Sequence, residues 1–335
     1  MIGKLLKKYL IGMFVAVVSL SSSLMINDRC DAKVYYCDSH DTPEKLKGEF
    51  VAVYNVQKDQ TVYYDSEEIE KMPLDFSEPL EPEQPMCNKQ MGQFESVIAE
   101  QDDNLFQDKT PRFANALSTS IVDNRLKVPN INSSPYYCTA KITTSFPSGY
   151  VMQGSAYELY KKVCATAGHI LVNSNGEYFS SLKVEFGYNN GKSNYTMTQN
   201  DLNRYVLHGE FKGTNWAPEI DYAFLEWNRD ITNYVGHFGI SWSYSLGDIC
   251  YSAGYPADKE NGNVMYYSKS TITSMKNHEI YSNNYITPGQ SGSPLFLEGG
   301  YAIGITSGYC GDNSMVSVQL DNDVTTWLKE NGYFD

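Results

Sequence analysis

The sequence lacks the short motifs that usually hold a metal or a redox centre. It has neither a CxxC nor an HExxH pattern, and its 5 histidines are scattered without metal-ligand spacing. No EF-hand-like loop suggests a calcium site. We therefore expect no metal and no cofactor. We expect four of the histidines to have a structural role, namely His40, His208, His237 and His278.

Basic residues are also scarce. The chain has 26 Lys and Arg against 40 Asp and Glu, a net charge of −14. Binding to nucleic acid depends on a basic surface, so we do not expect nucleic acid as a partner. The acidic excess is concentrated in residues 33–117, which hold 18 acidic and 8 basic side chains. Four prolines between residues 73 and 85 alternate with acidic residues there, which indicates an extended acidic linker or spacer.

The N-terminal apolar stretch, residues 9–20, is short for a membrane span, which needs about 20 residues. Lys4, Lys7 and Lys8 precede it and three serines follow it, a pattern typical of a secretory signal peptide. An uncleaved anchor is the alternative. We predict a signal peptide in residues 1–32, with an uncertain end, and a secreted protein without stable membrane association.

No long helical period is present in the second half of the chain. From about residue 136 onward, short runs rich in Tyr, Val, Ile, Thr and Phe are separated by Gly, Asn, Ser and Pro, which predicts an all-β fold. One helix is expected near the end. Asp321 or Asp323 can cap it, and Val324, Trp327 and Leu328 follow a helical spacing.

Three segments carry residues suited to nucleophilic catalysis. Residues 287–296 read TPGQSGSPLF, so Ser291 lies between glycines that permit an unusual backbone shape. Residues 163–171 deliver His169, a natural general base, at the end of an apolar run. Asp221 precedes another apolar run, where a carboxylate needs a partner. Taken singly, each has a plain alternative as a turn, cap or structural residue.

In the order His169, Asp221, Ser291, these segments resemble the chymotrypsin-fold (trypsin-like) serine proteases. Residues 254–273 are similar to a region of the bacterial glutamyl endopeptidase branch. The resemblance covers roughly residues 120–330. It implies a protease domain at 118–335, made of two six-stranded antiparallel β-barrels (about 125–235 and 236–320) and a C-terminal helix.

The resemblance also implies roles for individual residues. Ser291 would be the nucleophile, His169 the base, Asp221 its orienting acid, and the amides of Gly289 and Ser291 the oxyanion hole. Substrate would pair along residues 306–308. The implied substrate-binding residues are Tyr285, Ile286, Thr306, Ser307 and Gly308.

The expected substrates are proteins or peptides, but the specificity motifs of the relatives are altered. Thr306 stands where glutamate-specific members place a histidine, and Tyr285 where tryptic enzymes place an aspartate. We therefore expect a preference for an uncharged residue before the scissile bond.

The chain has seven cysteines, and six remain if Cys30 is removed with the signal peptide. This number fits an exported protein. Among three possible connectivities of the protease cysteines we predict Cys138–Cys164 and Cys250–Cys310, and Cys37–Cys87 in the acidic segment. Cys164 is an alternative nucleophile because it lies near His169. We discount it, since residues five apart on a strand point to opposite faces.

The family also implies that residues 33–117 are a propeptide that keeps a zymogen inactive until an activating protease cuts within residues 117–121. The alternative is a plain spacer. A different class of function also stays open, that of a catalytically silent protease-fold module used for binding or adhesion.

Overall fold

The computed structural model describes residues 34–37, 50–55, 60–65, 121–214, 216–310, 314–321, 324–325 and 328. Strands dominate this part of the chain and its helices are short, so the predicted all-β class is confirmed. The strands are β1 (Val34–Cys37), β2 (Phe50–Asn55), β3 (Gln60–Asp65), β4 (Leu126–Lys127), β5 (Thr139–Ser145), β6 (Val151–Tyr160), β7 (Val163–Thr166), β8 (Ser181–Phe186), β9 (Tyr195–Thr198), β10 (Leu202–His208), β11 (Ala223–Trp227), β12 (Gly239–Ile240), β13 (Ile249–Gly254), β14 (Tyr266–Lys276), β15 (Glu279–Tyr285), β16 (Pro294–Leu297), β17 (Tyr301–Tyr309) and β18 (Ser314–Gln319).

The first sheet is antiparallel and runs in the order β1-β3-β2-β10-β11-β7-β6-β5-β8-β9. β9 pairs with β8, whereas β10 pairs with β11 on the opposite side of the unit. Only the 3₁₀ turn Gln199–Asp201 separates β9 from β10. The sheet therefore curls, so that β9 at one end of the curl is followed directly along the chain by β10 at the other. The resemblance implies a closed six-stranded barrel here. This unit is instead a curled sheet, because the turn stands between β9 and β10 and no ladder joins these two strands.

The second sheet is a closed barrel of six strands. Its order is β13-β14-β15-β18-β17-β16, and the pairing of β16 with β13 closes the ring. Two short strands extend it: β12 lies parallel to β17, and β4 pairs with β14. The predicted second barrel is therefore confirmed.

Three apolar clusters hold these sheets together. One lies inside the first unit and includes Ile142, Leu225 and Trp227. Another fills the second barrel around Ile280 and Leu295. The third draws residues from both units and so joins them through buried apolar contacts. The apolar runs of the sequence supply this core.

Helical structure is limited to single turns in the described residues. The α-helix α1 spans Thr232–Val235, and 3₁₀ turns span Tyr136–Cys138, Gly168–Ile170, Gln199–Asp201, Pro218–Ile220 and Glu260–Gly262. Near the C-terminus Val324, Thr325 and Leu328 have helical backbone and are buried. The Val324 N–H donates to Asp321 Oδ1 (3.1 Å), so Asp321, one of the two predicted residues, caps this turn.

Part of the acidic segment joins the first sheet. β2 pairs antiparallel with β10, from Asn55 opposite Arg204 to Val51 opposite His208. β3 and then β1 continue the sheet outward. The predicted signal peptide and the proline-rich linker lie outside the described residues.

The cysteines differ from the prediction. Cys138, Cys164, Cys250 and Cys310 are thiols, so neither Cys138–Cys164 nor Cys250–Cys310 forms a disulfide in the described part of the chain. The first pair is divided between two apolar clusters, Cys138 in the one shared by both units and Cys164 in the one inside the first sheet. Cys87 lies outside the described residues.

In the part of the chain that the structure describes, no helix is long and apolar enough to cross a membrane.

Candidate active site

His169 lies just beyond the end of β7. Ala167 is extended and the next three residues form the 3₁₀ turn Gly168–Ile170, which carries the imidazole. A Cβ at Gly168 would approach Phe211 and the Asp221 carboxylate to 3.2 Å, a tight contact. The His169 side chain is 19% exposed, so it borders solvent while its neighbours are buried.

Asp221 meets His169 because their strands are neighbours. Thr166 at the end of β7 lies opposite Ala223 at the start of β11, which places the two flanking turns at one end of the sheet. Asp221 Oδ1 accepts the His169 backbone N–H (2.8 Å), and Oδ2 lies 2.7 Å from His169 Nδ1. A carboxylate can only accept in this contact, so the geometry assigns the proton of the neutral imidazole to Nδ1 and leaves Nε2 as the base.

Two further donors surround the buried Asp221 carboxylate. Ser307 Oγ donates to Oδ2 at 2.5 Å, and the indole N–H of Trp216 donates to the same oxygen at 3.1 Å. Asp221 is fully buried. Four donors compensate the loss of water, as an ionised carboxylate in the interior requires.

Ser291 lies in a tight loop before β16. Gly289 and Gly292 on either side have φ values of +92° and +81°. A Cβ at Gly292 would lie 2.2 Å from the Ser155 carbonyl oxygen, and one at Gly289 would lie 2.4 Å from that of Tyr255. Both positions therefore require glycine. The Ser155 N–H, on β6 of the first sheet, donates to the Ser291 carbonyl (2.7 Å), so the loop is anchored across the two units.

Ser307 links the serine to the acid. Ser291 Oγ donates to the Ser307 carbonyl at 3.5 Å, while the Ser307 hydroxyl donates to Asp221. Ser307 lies on β17, next to Thr306, whose carbonyl accepts the Gly292 N–H (2.7 Å). The structure thus brings the loops of His169, Asp221 and Ser291 to one place between the two sheets.

The amides proposed for the oxyanion hole are available. Within the described residues, neither the Gly289 N–H nor the Ser291 N–H donates to a protein acceptor. An N–H group without a protein acceptor at this position can serve a developing oxyanion.

The predicted substrate-binding residues occupy two settings. Ile286 is buried in the apolar cluster of the second barrel. Thr306 is also buried, and its hydroxyl contacts Ser293 Oγ and Met315 Sδ. Tyr285 is half-buried, and the Arg125 guanidinium lies over its ring. Gly308 lies so close to Trp216 that a Cβ would come within 2.6 Å of the indole.

The surroundings of the other described histidines and of Cys164 do not favour a role as base or nucleophile. Burial lowers the pKa of His208 to about 4 and also lowers that of His237. His278 pairs with Asp321 far along the chain from the triad, and His40 lies outside the described residues. Burial holds the pKa of the Cys164 thiol well above its usual range, so the thiolate needed for nucleophilic attack is disfavoured.

Sequence reasoning missed two residues around the site, Trp216 and Arg125. Trp216 lies five residues before Asp221, and its indole N–H also donates to Ser307 Oγ (2.8 Å). Arg125 contacts the Ser291 loop from 165 positions away. Neither belongs to a motif, and their contacts arise only from the fold.

No group of three or more His, Cys, Asp or Glu side chains is arranged to hold a metal within the described residues.

The two-sheet fold and the His-Asp pair beside a glycine-flanked serine define a protein of the chymotrypsin-like class. The Trypsin family model matches residues 127–328, and the chain belongs to this family. Family membership is thus established over most of the described structure.

Individual proteins agree with the family. Over 180 residues the chain is 30% identical to the glutamyl endopeptidase of Bacillus licheniformis, a match that spans 52% of this chain and 53% of that relative. The chain thus matches about half the length of this relative. A Glu endopeptidase solved in complex with MPD has 20% identity and a TM-score of 0.54, covering 63% of this chain and 97% of its own. HL collagenase has 12% identity and a TM-score of 0.51, covering 63% and 98%. The two structures support the fold, and the family match carries the assignment of the chain.

Proposed function

We propose that this protein is a secreted serine endopeptidase that uses His169, Asp221 and Ser291. The observation that carries the proposal is the buried Asp221 carboxylate, which fixes the His169 ring through Nδ1 while Ser307 connects the same carboxylate to Ser291. This arrangement supplies a base, an orienting acid and a nucleophile in one place.

The geometry supports a two-step hydrolysis. Ser291 Oγ attacks the peptide carbonyl as His169 Nε2 takes its proton, and the imidazolium returns that proton to the leaving amine. The acyl-enzyme ester then reacts with water by the same proton route. Asp221 holds the His169 ring in place and stabilises the imidazolium. The Gly289 and Ser291 amides would bind the oxyanion at each tetrahedral stage.

Substrate binding as an added strand is supported by the edge of β17. Its last residues pair with β18 on one side, ending at Tyr309 opposite Met315. On the other side the ladder with β16 stops at Ile305 opposite Pro294, and no described strand continues it. The free edge at residues 307–309 can therefore pair with an extended peptide.

We also propose a preference for an uncharged side chain before the scissile bond. The relative is named for glutamate, but Thr306 takes the place of the histidine expected in such enzymes and lies buried against Ser293 and Met315. Tyr285, Ile286 and Thr306 offer no charge. A peptide library cleaved at Glu alone would contradict this specificity while leaving the endopeptidase function intact.

A zymogen role of residues 33–117 is supported by the strands of that segment. β2 adds to β10, so part of the acidic segment is folded onto the protease unit and is more than a solvated spacer. We propose that the segment is removed by a cut near residues 117–121. N-terminal sequencing of the secreted active form, with activity measured before and after the cut, tests this step.

The test of the proposed function compares the wild type with Ser291→Ala in hydrolysis of a mixed peptide library. Loss of the nucleophile should lower turnover by several orders of magnitude. A Ser245→Ala variant is the matched control, since it removes an exposed hydroxyl in the loop before β13 and should keep wild-type turnover. Equal turnover in Ser291→Ala and wild type would contradict Ser291 as the nucleophile, and no turnover in either would favour the silent binding module.

A further inference from the structure

Arg125 connects the first residues of the protease domain to the serine loop. Its guanidinium is 0% exposed. Nε and Nη2 donate to Asp123 (2.9 and 3.0 Å), and Nη1 and Nη2 donate to Asp258 (2.8 and 2.6 Å). Both pairings are bidentate, a geometry that a guanidinium provides and an ammonium does not.

The same guanidinium reaches the loop that carries the nucleophile. Nη1 donates to Thr287 Oγ1 at 2.7 Å and to Gln290 Oε1 at 3.1 Å. Gln290 is itself buried and lies between Gly289 and Ser291. Its side-chain oxygen also accepts the Thr287 N–H (3.1 Å), so two donors fix it.

Further contacts close the loop around this point. Thr287 Oγ1 donates to Asp258 at 2.5 Å, and the Ala257 N–H donates to the Pro288 carbonyl at 2.8 Å. The backbone from residue 287 to 290 is thereby held against the 257–258 turn. The orientation of the Gly289 and Ser291 amides depends on this backbone, because Gly289 at φ +92° is free to adopt other conformations when it is not held.

The charges around Arg125 argue against direct substrate binding. Asp123 and Asp258 together balance Arg125 and Lys259, whose Nζ lies 3.0 Å from Asp123. Burial would lower the pKa of Arg125, but the bonds to the two carboxylates raise it above its usual range, while the guanidinium lowers the pKa of Asp123. The cation is therefore fully compensated and inaccessible to an acidic substrate side chain.

We propose that Arg125 is a positioning residue that sets the oxyanion hole by clamping Gln290. This inference rests on the proposed function and adds to it a residue outside the triad. It also gives the segment after residue 120 a defined role, because the side chain at position 125 holds the serine loop.

The test compares the protein as secreted in four forms: wild type, Arg125→Met, Arg125→Lys and Lys127→Met. Lys127 is the matched control, since it lies two residues away, loses the same charge, and has an exposed salt bridge to Glu260. Active sites are counted with a fluorophosphonate probe, so kcat is expressed per reactive serine. Arg125→Met should lower kcat about 100-fold with KM within about threefold, since loss of one oxyanion donor has effects of that size. Arg125→Lys should recover part of this loss, and Lys127→Met should match wild type.

A structural role alone would lower the melting temperature and the number of reactive sites but leave kcat per site unchanged. That result in Arg125→Met would overturn the inference. If Arg125→Met does not fold, Asp258→Asn, which keeps the guanidinium and weakens the clamp, should lower kcat per site at least fivefold, and an unchanged value there would equally overturn it. Absence of labelling in the wild type would overturn the proposed function and this inference together.

Discussion

Asp221 shows at the residue scale how the fold sustains a buried charge. Its two oxygens accept four hydrogen bonds, from the His169 backbone and ring, Ser307 and Trp216. The donors come from three separate segments of the chain. These bonds compensate the carboxylate for the loss of water and hold it beside the imidazole, where it can stabilise an imidazolium.

Asp221→Asn should lower kcat by about 10⁴ without unfolding the protein. The amide occupies the same space but offers an N–H where the His169 Nδ1 proton needs an acceptor, so the wrong tautomer is favoured. Kinetics measured beside circular dichroism would check this. A variant with full activity would remove Asp221 from the triad.

Trp216→Phe should lower kcat about tenfold while the packing against Gly308 is kept. The change removes one donor from Asp221 and from Ser307, and hydrogen bonds to a charged group contribute about 1.5–3 kcal/mol. The kcat and the melting temperature should be measured together. An unchanged kcat would mean that the other three donors suffice.

His208 predicts a pH dependence of stability. Burial lowers its pKa from 6.5 to about 4, so as the pH falls below 6.5 the unfolded chain binds a proton that the folded protein does not. The free energy of unfolding should thus fall by about 2–3 kcal/mol between pH 7 and pH 4 through this group. His208→Gln should show a smaller drop in melting temperature over that range, and an equal drop would contradict the account.

The residues that sequence reasoning found and missed differ in the range of their contacts. His169, Asp221 and Ser291 are each marked by small or apolar neighbours, which the loop geometry requires, and so could be recognised locally. Trp216 and Arg125 act across 91 and 165 positions, and no local pattern encodes such contacts. The structure lacks the predicted Cys138–Cys164 and Cys250–Cys310 disulfides for the same reason, since sequence order does not reveal which core a cysteine enters.

At the scale of elements, the strand ladders place the site. The pairing of β7 with β11 brings the His and Asp turns together, and the closure of β16, β17 and β18 presents the serine loop beside a free strand edge. Alternation and turn residues predicted the strands. They did not predict that the ladder of the first unit is interrupted at residues 199–201 or that β2 occupies the edge of β10, because both depend on pairing between distant segments.

The pairing of β2 with β10 is open to a backbone test. Val53→Pro should weaken the docking of the acidic segment, since proline removes a ladder donor and clashes in the middle of a strand. Limited proteolysis should then cut residues 34–65 faster in the Pro variant than in wild type. Val53→Ala, which keeps the backbone N–H, is the control. Equal cleavage rates in all three would argue that β2 contributes no protection.

At the scale of the whole molecule, two β units share one apolar cluster and hold the candidate site between them. The Ser155 N–H from the first unit bonds the Ser291 carbonyl of the second, and Ser307 of the second bonds Asp221 of the first. Catalysis therefore depends on the relative placement of the two units as much as on either one.

The cysteines give a prediction for the intact protein. Non-reducing peptide mapping should find Cys138, Cys164, Cys250 and Cys310 alkylated as thiols after unfolding without reductant. The stability of the two units would then come from apolar packing rather than from cross-links. A peptide pair joined through any two of these residues would contradict the structure.

The most direct test of the proposed site is covalent labelling of the purified protein with a fluorophosphonate, followed by mass spectrometry of its peptides. We expect one labelled residue, Ser291, and loss of labelling in His169→Ala, because the serine is activated only by its base. Labelling at another residue, or none at all under conditions where the protein is folded, would contradict the assignment of Ser291 as the nucleophile.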